Sequence, residues 1–173
     1  MSAFSYPRPV LGFAAWSGSG KTTLLARLLP LLRARGLRVA MIKHAHHDFD
    51  IDQPGKDSHT LRKAGAEQML IASRRRWALM VESPDEREPE LAELLAHLDP
   101  ARADLVLVEG FKHEHFPKIE VHRAAVGKPL LYPDDPDIIA VVRDTRLDTR
   151  LPQLDIDTPD TVAEFVVRHC LAG

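Results

Sequence analysis

The most constraining feature of the sequence is a glycine-containing loop between two apolar runs. Residues 10–15 (VLGFAA) are almost wholly apolar, as in a strand buried on both faces. The loop AWSGSGKT follows, and leucines then recur at helical spacing through residues 22–35 before a second apolar run at 37–42. Strand, glycine turn, helix and strand in this order predict a βαβ unit with parallel strands.

The loop fits the pattern G-x-x-x-x-G-K-[ST], except that Ala15 stands at the first glycine position. Gly18 and Gly20 let backbone N–H groups approach phosphate oxygens, and the positive end of the following helix points at the same place. Lys21 can reach the β- and γ-phosphates, and Thr22 Oγ1 can ligate Mg²⁺. Ala15 is tolerated if its φ angle is negative, because a left-handed alanine costs roughly 1 kcal/mol.

A second candidate lies at the end of the apolar run 105–108, which is followed by Glu109 and Gly110. In parallel sheets, ligand chemistry collects at the carboxyl ends of the strands. We therefore expect Glu109 near Thr22, where it can hold a magnesium-bound water. The alternative is a solvated glutamate after a core strand.

Residues 44–52 contain three histidines and three aspartates. Three interpretations are open: a transition-metal site, a polar surface loop, or a switch segment in which Asp48 or Asp50 orients the attacking water and Lys43 or a histidine binds phosphate. The switch is favoured because the histidines lack a regular ligand spacing. For base recognition, no N-K-x-D sequence occurs, and Asp144 is the candidate guanine-reading carboxylate or else a turn residue.

The remaining pattern indicates alternating helices and strands. Helices are expected at 57–64, 88–98 and 158–171, and strands at 69–73, 77–81, 105–108 and 138–142. Pro30 should kink or break the first helix, and Gly36 should end it. We predict an α/β protein: a three-layer P-loop NTPase fold with a mainly parallel twisted sheet flanked by helices, as a single domain over 1–173.

Composition narrows the partners and the compartment. The formal net charge of −2 provides no general field toward nucleic acid or an anionic membrane. No apolar stretch approaches the ~20 residues of a membrane helix, and the first ten residues lack the apolar run of a signal peptide. The single cysteine, Cys170, excludes an intrachain disulfide. We expect a cytoplasmic protein, and the apolar hairpin at 69–81 predicts a homodimer.

Five segments together resemble the MobB family of molybdopterin-guanine dinucleotide biosynthesis proteins: AAWSGSGKTTLL, IKHAHHDFDIDQPGKDS, LRKAGA, RRRWALM and LVEGFKHE. The resemblance extends over about residues 9–145. It implies a homodimeric GTP-binding protein with weak GTPase activity that assists the guanylyltransferase enzyme that attaches GMP to molybdopterin; molybdopterin is itself a candidate ligand.

Carried onto this sequence, the resemblance assigns the acidic metal-site residue to Glu109. The phosphate contacts that it implies are Ser17, Gly18, Ser19, Gly20, Lys21, Thr22 and Thr23. Two other functions use the same loop and stay open. A small-molecule kinase would transfer phosphate to an acceptor, and an adaptor would bind GTP only as a structural or switching ligand.

Overall fold

A computed structural model describes residues 5–45, 50–83 and 87–171 of the chain. The chain divides into two compact units: a sheet unit (Met1–His44 and Glu90–Gly173) and a hairpin unit (Ala45–Pro89). In chain order the elements are β1 (Val10–Ala14), α1 (Lys21–Ala34), β2 (Val39–Lys43), α2 (Asp57–Lys63), β3 (Gln68–Ala72), β4 (Trp77–Val81), α3 (Leu91–Ala96), β5 (Leu105–Glu109), β6 (Lys118–His122), a 3₁₀ turn (Ala124–Val126), β7 (Ile138–Arg143), β8 (Gln153–Asp155) and α4 (Pro159–Leu171).

The sheet unit contains a six-stranded sheet with the order β2-β5-β1-β6-β7-β8, in which every neighbouring pair is parallel. Side chains alternate between the two faces. Leu11 and Phe13 of β1 face α1 and α4, whereas Val106 and Val108 of β5 pack with α3 on the other face. Helices on both faces of a parallel sheet confirm the predicted α/β class.

Helix α1 is continuous from Lys21 to Ala34 and does not end at Pro30. Proline removes one helical hydrogen bond, but four buried leucines on α1 pack in the core and hold the helix together. Gly36, with a φ of 83°, donates its N–H to Arg33 O, and Leu37 donates to Leu32 O. This Schellman arrangement ends the helix as the sequence predicts.

Strand β6 was not expected from the sequence, because charged residues interrupt its apolar character. Lys118 and Glu120 are each only 1% exposed. The Lys118 ammonium donates to two carbonyls of the loop 112–114 and lies 2.9 Å from Asp135 Oδ2. Glu120 accepts two backbone N–H groups from residues 131–132. Because the buried ammonium is paired with a carboxylate and the buried carboxylate accepts two hydrogen bonds, β6 can occupy the sheet and fix the loops that cover this face.

In the hairpin unit, β3 and β4 pair antiparallel, with Gln68 opposite Val81 and Ala72 opposite Trp77. The predicted hairpin is confirmed; Ser73 N–H donates to Arg76 O at 2.8 Å and closes the turn. Helix α2 also lies in this unit. Among the helices that the structure describes, none combines the length and apolar character that crossing a membrane requires.

Candidate phosphate-binding site

The loop between β1 and α1 adopts the backbone that its glycines allow. Gly18 and Gly20 have φ angles of 84° and 82°, a region that residues with a Cβ rarely occupy. Ala15 is not among the described residues with positive φ, so its place in the motif carries no left-handed strain. Ser19, which is 3% exposed, donates its N–H to Trp16 O and tightens the loop.

The N-terminus of α1 opens onto this loop. Gly20 is the N-cap, and no side chain caps the helix. The first helical hydrogen bond that ends at the cap runs from Leu24 N–H to Gly20 O. The N–H groups of Lys21, Thr22 and Thr23 precede it and have no acceptor within the helix. These donors and the helix dipole favour an anion at this position.

Glu109 lies at the carboxyl end of β5, opposite Phe13 of β1, and is 8% exposed. Its Oε1 accepts a hydrogen bond from Thr22 Oγ1 at 3.4 Å. The same oxygen lies 3.8 Å from Lys21 Nζ and 3.7 Å from Lys43 Nζ. The structure therefore brings Glu109 next to Lys21 and Thr22, although almost ninety positions of sequence lie between them. Lys43 of β2 lies beside the same carboxylate.

The site carries more positive than negative charge. Burial lowers the pKa of Lys21 below its usual value, the ammonium groups of Lys43 and Lys112 lower it further, and Glu109 acts in the opposite direction. One buried carboxylate thus faces several ammonium groups. A phosphate group would relieve their mutual repulsion, which is the electrostatic requirement for an anion site.

The protein oxygens at this position fit a magnesium ion that also binds phosphate. Mg²⁺ takes oxygen ligands and is usually held by one or two protein groups plus phosphates and water. Thr22 Oγ1 and Glu109 Oε1 supply two such oxygens. Across the described ranges, no group of three or more His, Cys, Asp or Glu residues forms a metal site of protein ligands alone.

The turn after Glu109 is packed against the end of β2. Gly110 has a φ of 103°, and a Cβ atom there would lie 2.7 Å from His44 Cβ. Phe111 follows with a φ of 53°, the only positive value at a described residue other than glycine. Its ring is buried and stacks on His44 with 4.7 Å between centroids. Such strain persists where the surroundings hold it, often beside functional sites.

Trp16, inside the phosphate loop, borders a cleft of about 340 Å³ between the segments 112–118 and 129–136. Its Nε1 donates to Pro129 O at 2.8 Å. Lys112 and Lys128 place their ammonium groups 5.0 and 5.8 Å from the centroid of the indole ring. These contacts connect the phosphate loop to the same segments that form hydrogen bonds with Lys118 and Glu120.

The other predicted site residues are placed as follows. Asp144 Oδ1 accepts the N–H of Ala124, and this bond is the main reason that the pKa of Asp144 lies below its ordinary value. In the hairpin unit, both oxygens of Asp50 accept from Arg62 Nη2 at 2.7 Å, which lowers the pKa of Asp50. To orient water, Asp50 would have to leave this ion pair. Asp48 lies outside the described residues.

Comparison with known proteins gives one consistent family. Residues 10–144 match the profile of MobB, molybdopterin guanine dinucleotide synthesis protein B. The chain is 52% identical over 160 residues to the molybdopterin-guanine dinucleotide biosynthesis adapter protein of Escherichia coli (strain K12), which covers 92% of this chain and 91% of that protein. The Haemophilus influenzae protein of the same name is 44% identical over 158 residues, covering 91% and 87%. A crystal structure of molybdopterin-guanine biosynthesis protein B superposes with a TM-score of 0.72 at 31% identity, covering 92% of this chain and 99% of that one.

Proposed function

We propose that this chain, which belongs to the MobB family of molybdopterin guanine dinucleotide synthesis proteins, is an adapter of that biosynthesis and binds GTP with Mg²⁺. The adapter role follows from the family and from relatives that align over nearly their whole length. The observation that supports nucleotide binding is the convergence of Lys21, Thr22 and Glu109 at the N-terminus of α1. A strand, a glycine loop and a helix in this order are the required context for the motif.

In the proposed complex, backbone N–H groups of residues 17–23 surround the phosphates. Lys21 exchanges its contact with Glu109 for the β- and γ-phosphates, because a doubly charged phosphate is the stronger partner. Thr22 and Glu109 would hold the metal, and a metal bound there would neutralise charge on the phosphate oxygens. Lys43 lies beside the same carboxylate and adds positive charge at the terminal phosphate.

We expect hydrolysis to be slow, at about 10⁻⁴–10⁻³ s⁻¹ as in GTPases that lack an activating partner. Asp50, a predicted water-orienting residue, is held by Arg62 in this structure. Turnover above ~1 s⁻¹ without a partner would contradict slow hydrolysis. The products separate the alternatives: inorganic phosphate with no acceptor indicates a GTPase, whereas a phosphorylated metabolite indicates the small-molecule kinase.

Base preference is tested by competition among GTP, ATP and CTP for the wild-type protein. Asp144 follows β7, one strand beyond β6 on the side of β1 away from β5. A carboxylate there can accept hydrogen bonds from the N–H donors of guanine, whereas adenine presents an acceptor at the corresponding ring nitrogen. We expect GTP to bind more tightly than ATP or CTP. Equal affinity for all three would remove base recognition from the proposal.

The proposed partners are a second copy of this chain, the guanylyltransferase of the same biosynthesis and, as a candidate ligand, molybdopterin; the proposed compartment is the cytoplasm. The homodimer is supported by the hairpin unit. Strands β3 and β4 form a two-stranded sheet, so each has an edge with no neighbour among the described residues. Leu70 is 60% and Trp77 is 58% exposed on this hairpin. Unpaired, apolar strand edges favour pairing with another strand.

A further inference from the structure

Arg123 lies against the phosphate loop from the side opposite Glu109. It directly follows β6, the neighbour of β1. A Cβ atom at Gly20 would lie 3.1 Å from Arg123 Nε and 3.6 Å from Nη2. The guanidinium therefore touches the residue that caps α1, although 103 positions of sequence separate the two.

The Arg123 guanidinium lies close to the N-terminus of α1, which is the positive end of the helix dipole. The residue is half-buried, and its guanidinium forms no hydrogen bond or ion pair with any residue that the structure describes. The Asp144 carboxylate is near enough to interact with Arg123 electrostatically, but it makes no contact within ion-pair distance among the described residues. The guanidinium therefore has N–H donors available for an anion beside the uncapped N–H groups of α1.

The strand order shows which part of a nucleotide would supply that anion. Lys43 on β2 and Glu109 on β5 lie on one side of β1, whereas Arg123 after β6 and Asp144 after β7 lie on the other. If the terminal phosphate and the metal are at Thr22 and Glu109, the rest of the nucleotide extends toward β6 and β7. Beyond the β- and γ-phosphates, which are assigned to Lys21, the next group in that direction is the α-phosphate.

We propose that Arg123 binds the α-phosphate of the nucleotide, an inference that rests on the proposed nucleotide function. The 3₁₀ turn after Arg123 is fixed by the hydrogen bond from Ala124 N–H to Asp144 Oδ1. The residue next to Arg123 in the chain is thus held by the carboxylate of Asp144, the candidate residue for the base. Arginine suits this role because its planar fork can bond two phosphate oxygens, and Gly20, which lacks a side chain, lets the guanidinium come close to the phosphate loop.

The α-phosphate is common to GTP and GDP, and it is present with or without metal. Loss of Arg123 should therefore weaken both nucleotides by the same factor, in Mg²⁺ and in EDTA. Loss of Lys43, by contrast, should act mainly on the triphosphate. This equal loss distinguishes contact with the phosphates that GTP and GDP share from contact with the γ-phosphate and from a general effect on the metal; among the shared phosphates, the strand order favours the α-phosphate.

The test is isothermal titration of GTP and GDP, each with Mg²⁺ and with EDTA, into wild type, Arg123→Ala, Arg123→Lys and Arg146→Ala. Arg146 is exposed and close in sequence to Asp144, so its removal controls for loss of one positive charge. Arg123→Ala should lose about ten- to a hundredfold in affinity for both nucleotides, the usual range for a charged hydrogen bond. Arg123→Lys should recover part of the loss, and Arg146→Ala should change affinity less than about threefold.

Urea unfolding of each variant shows that the fold is retained. Wild-type affinity of Arg123→Ala for GDP, or a loss confined to GTP, would overturn the α-phosphate assignment while leaving the proposed function intact. If the wild-type protein binds neither nucleotide, the proposed function fails and the inference fails with it.

Discussion

Glu109 can be buried at the carboxyl end of β5 because three polar or positively charged groups stabilise its carboxylate. Thr22 Oγ1, Lys21 Nζ and Lys43 Nζ all lie within 4 Å of Oε1. A carboxylate buried without partners would instead become protonated or destabilise the fold. The same three neighbours are groups that can bind phosphate or metal, so the contacts that stabilise Glu109 in the protein alone also preorganise the site.

The protonated Lys21 should make the ligand-free protein less stable at neutral pH than the neutral lysine does at higher pH. Its pKa is lowered in the folded state, chiefly by burial, so the unfolded chain binds more protons between the lowered pKa and the ordinary 10.5. Stability therefore rises with pH across that window. We expect the free energy of unfolding of wild type, measured in urea, to rise relative to that of Lys21→Met as the pH increases from 7 toward 10.5. A difference that does not change with pH would contradict this.

Gly110 is required both for its backbone angle and for the space beside it. Gly110→Ala places a Cβ at a φ of 103° and 2.7 Å from His44 Cβ, whereas Gly36→Ala meets a φ of 83° with nothing within 4 Å. The left-handed strain alone costs about 1–2 kcal/mol. We expect Gly110→Ala to lower the free energy of unfolding in urea by more than the matched Gly36→Ala. Equal losses would show that the turn yields without strain.

At the scale of elements, the apolar runs predicted most of the sheet. The strands β1, β2, β5 and β7 are continuous hydrophobic segments, as parallel strands covered on both faces should be. Strand β6 was missed because the partners of Lys118 and Glu120 come from loops that only folding brings near. Arg123 was missed for a similar reason. The sequence H-R-A-A matches no motif, and the proposed role of Arg123 depends on the pairing of β6 with β1 in the folded protein.

Replacement of Lys118 should lower the free energy of unfolding more than replacement of an exposed lysine does. Its ammonium is buried, pairs with Asp135 and donates to two carbonyls. Removing one partner of a buried ion pair costs about 3–5 kcal/mol. The lower end of this range applies here, because the side chain of Asp135 is 20% exposed. We expect Lys118→Met to lower the free energy of unfolding by about 3 kcal/mol or more in urea. Lys128→Met, an exposed lysine near the same cleft, is the control and should cost less than about 1 kcal/mol.

At the scale of the whole molecule, the two units carry different chemistry. The sheet unit holds the converging charged groups, and the hairpin unit holds the exposed apolar surface. The proposed division is that the first binds the nucleotide and the second binds another copy of the chain. The sequence predicts this division only in part, because it shows that the hairpin is apolar but does not show which of its side chains stay exposed.

We expect the protein to be a dimer at micromolar concentration and the hairpin to be responsible. The side chain of Leu79 on β4 is 40% exposed. Leu79→Glu places a charge there, so it should disrupt the proposed dimer interface without disturbing a hydrophobic core. Sedimentation velocity should then show a monomer that binds GTP with near wild-type affinity. Arg74→Glu, in the turn of the same hairpin, controls for added negative charge and should stay dimeric. A wild-type protein that is monomeric at this concentration would contradict the proposal.

The most direct measurement of the central claim is isothermal titration of GTP, with Mg²⁺ and with EDTA, against wild type, Lys21→Ala and Glu109→Gln. Lys21→Ala should lose about ten- to a hundredfold in affinity under both conditions, because the lysine contacts phosphate directly. Glu109→Gln should bind metal-free GTP nearly as wild type does and lose only the gain that Mg²⁺ provides, because its charge acts through the metal. If Glu109→Gln binds Mg·GTP as tightly as wild type, the carboxylate is not in the metal site and the account of this strand end is wrong.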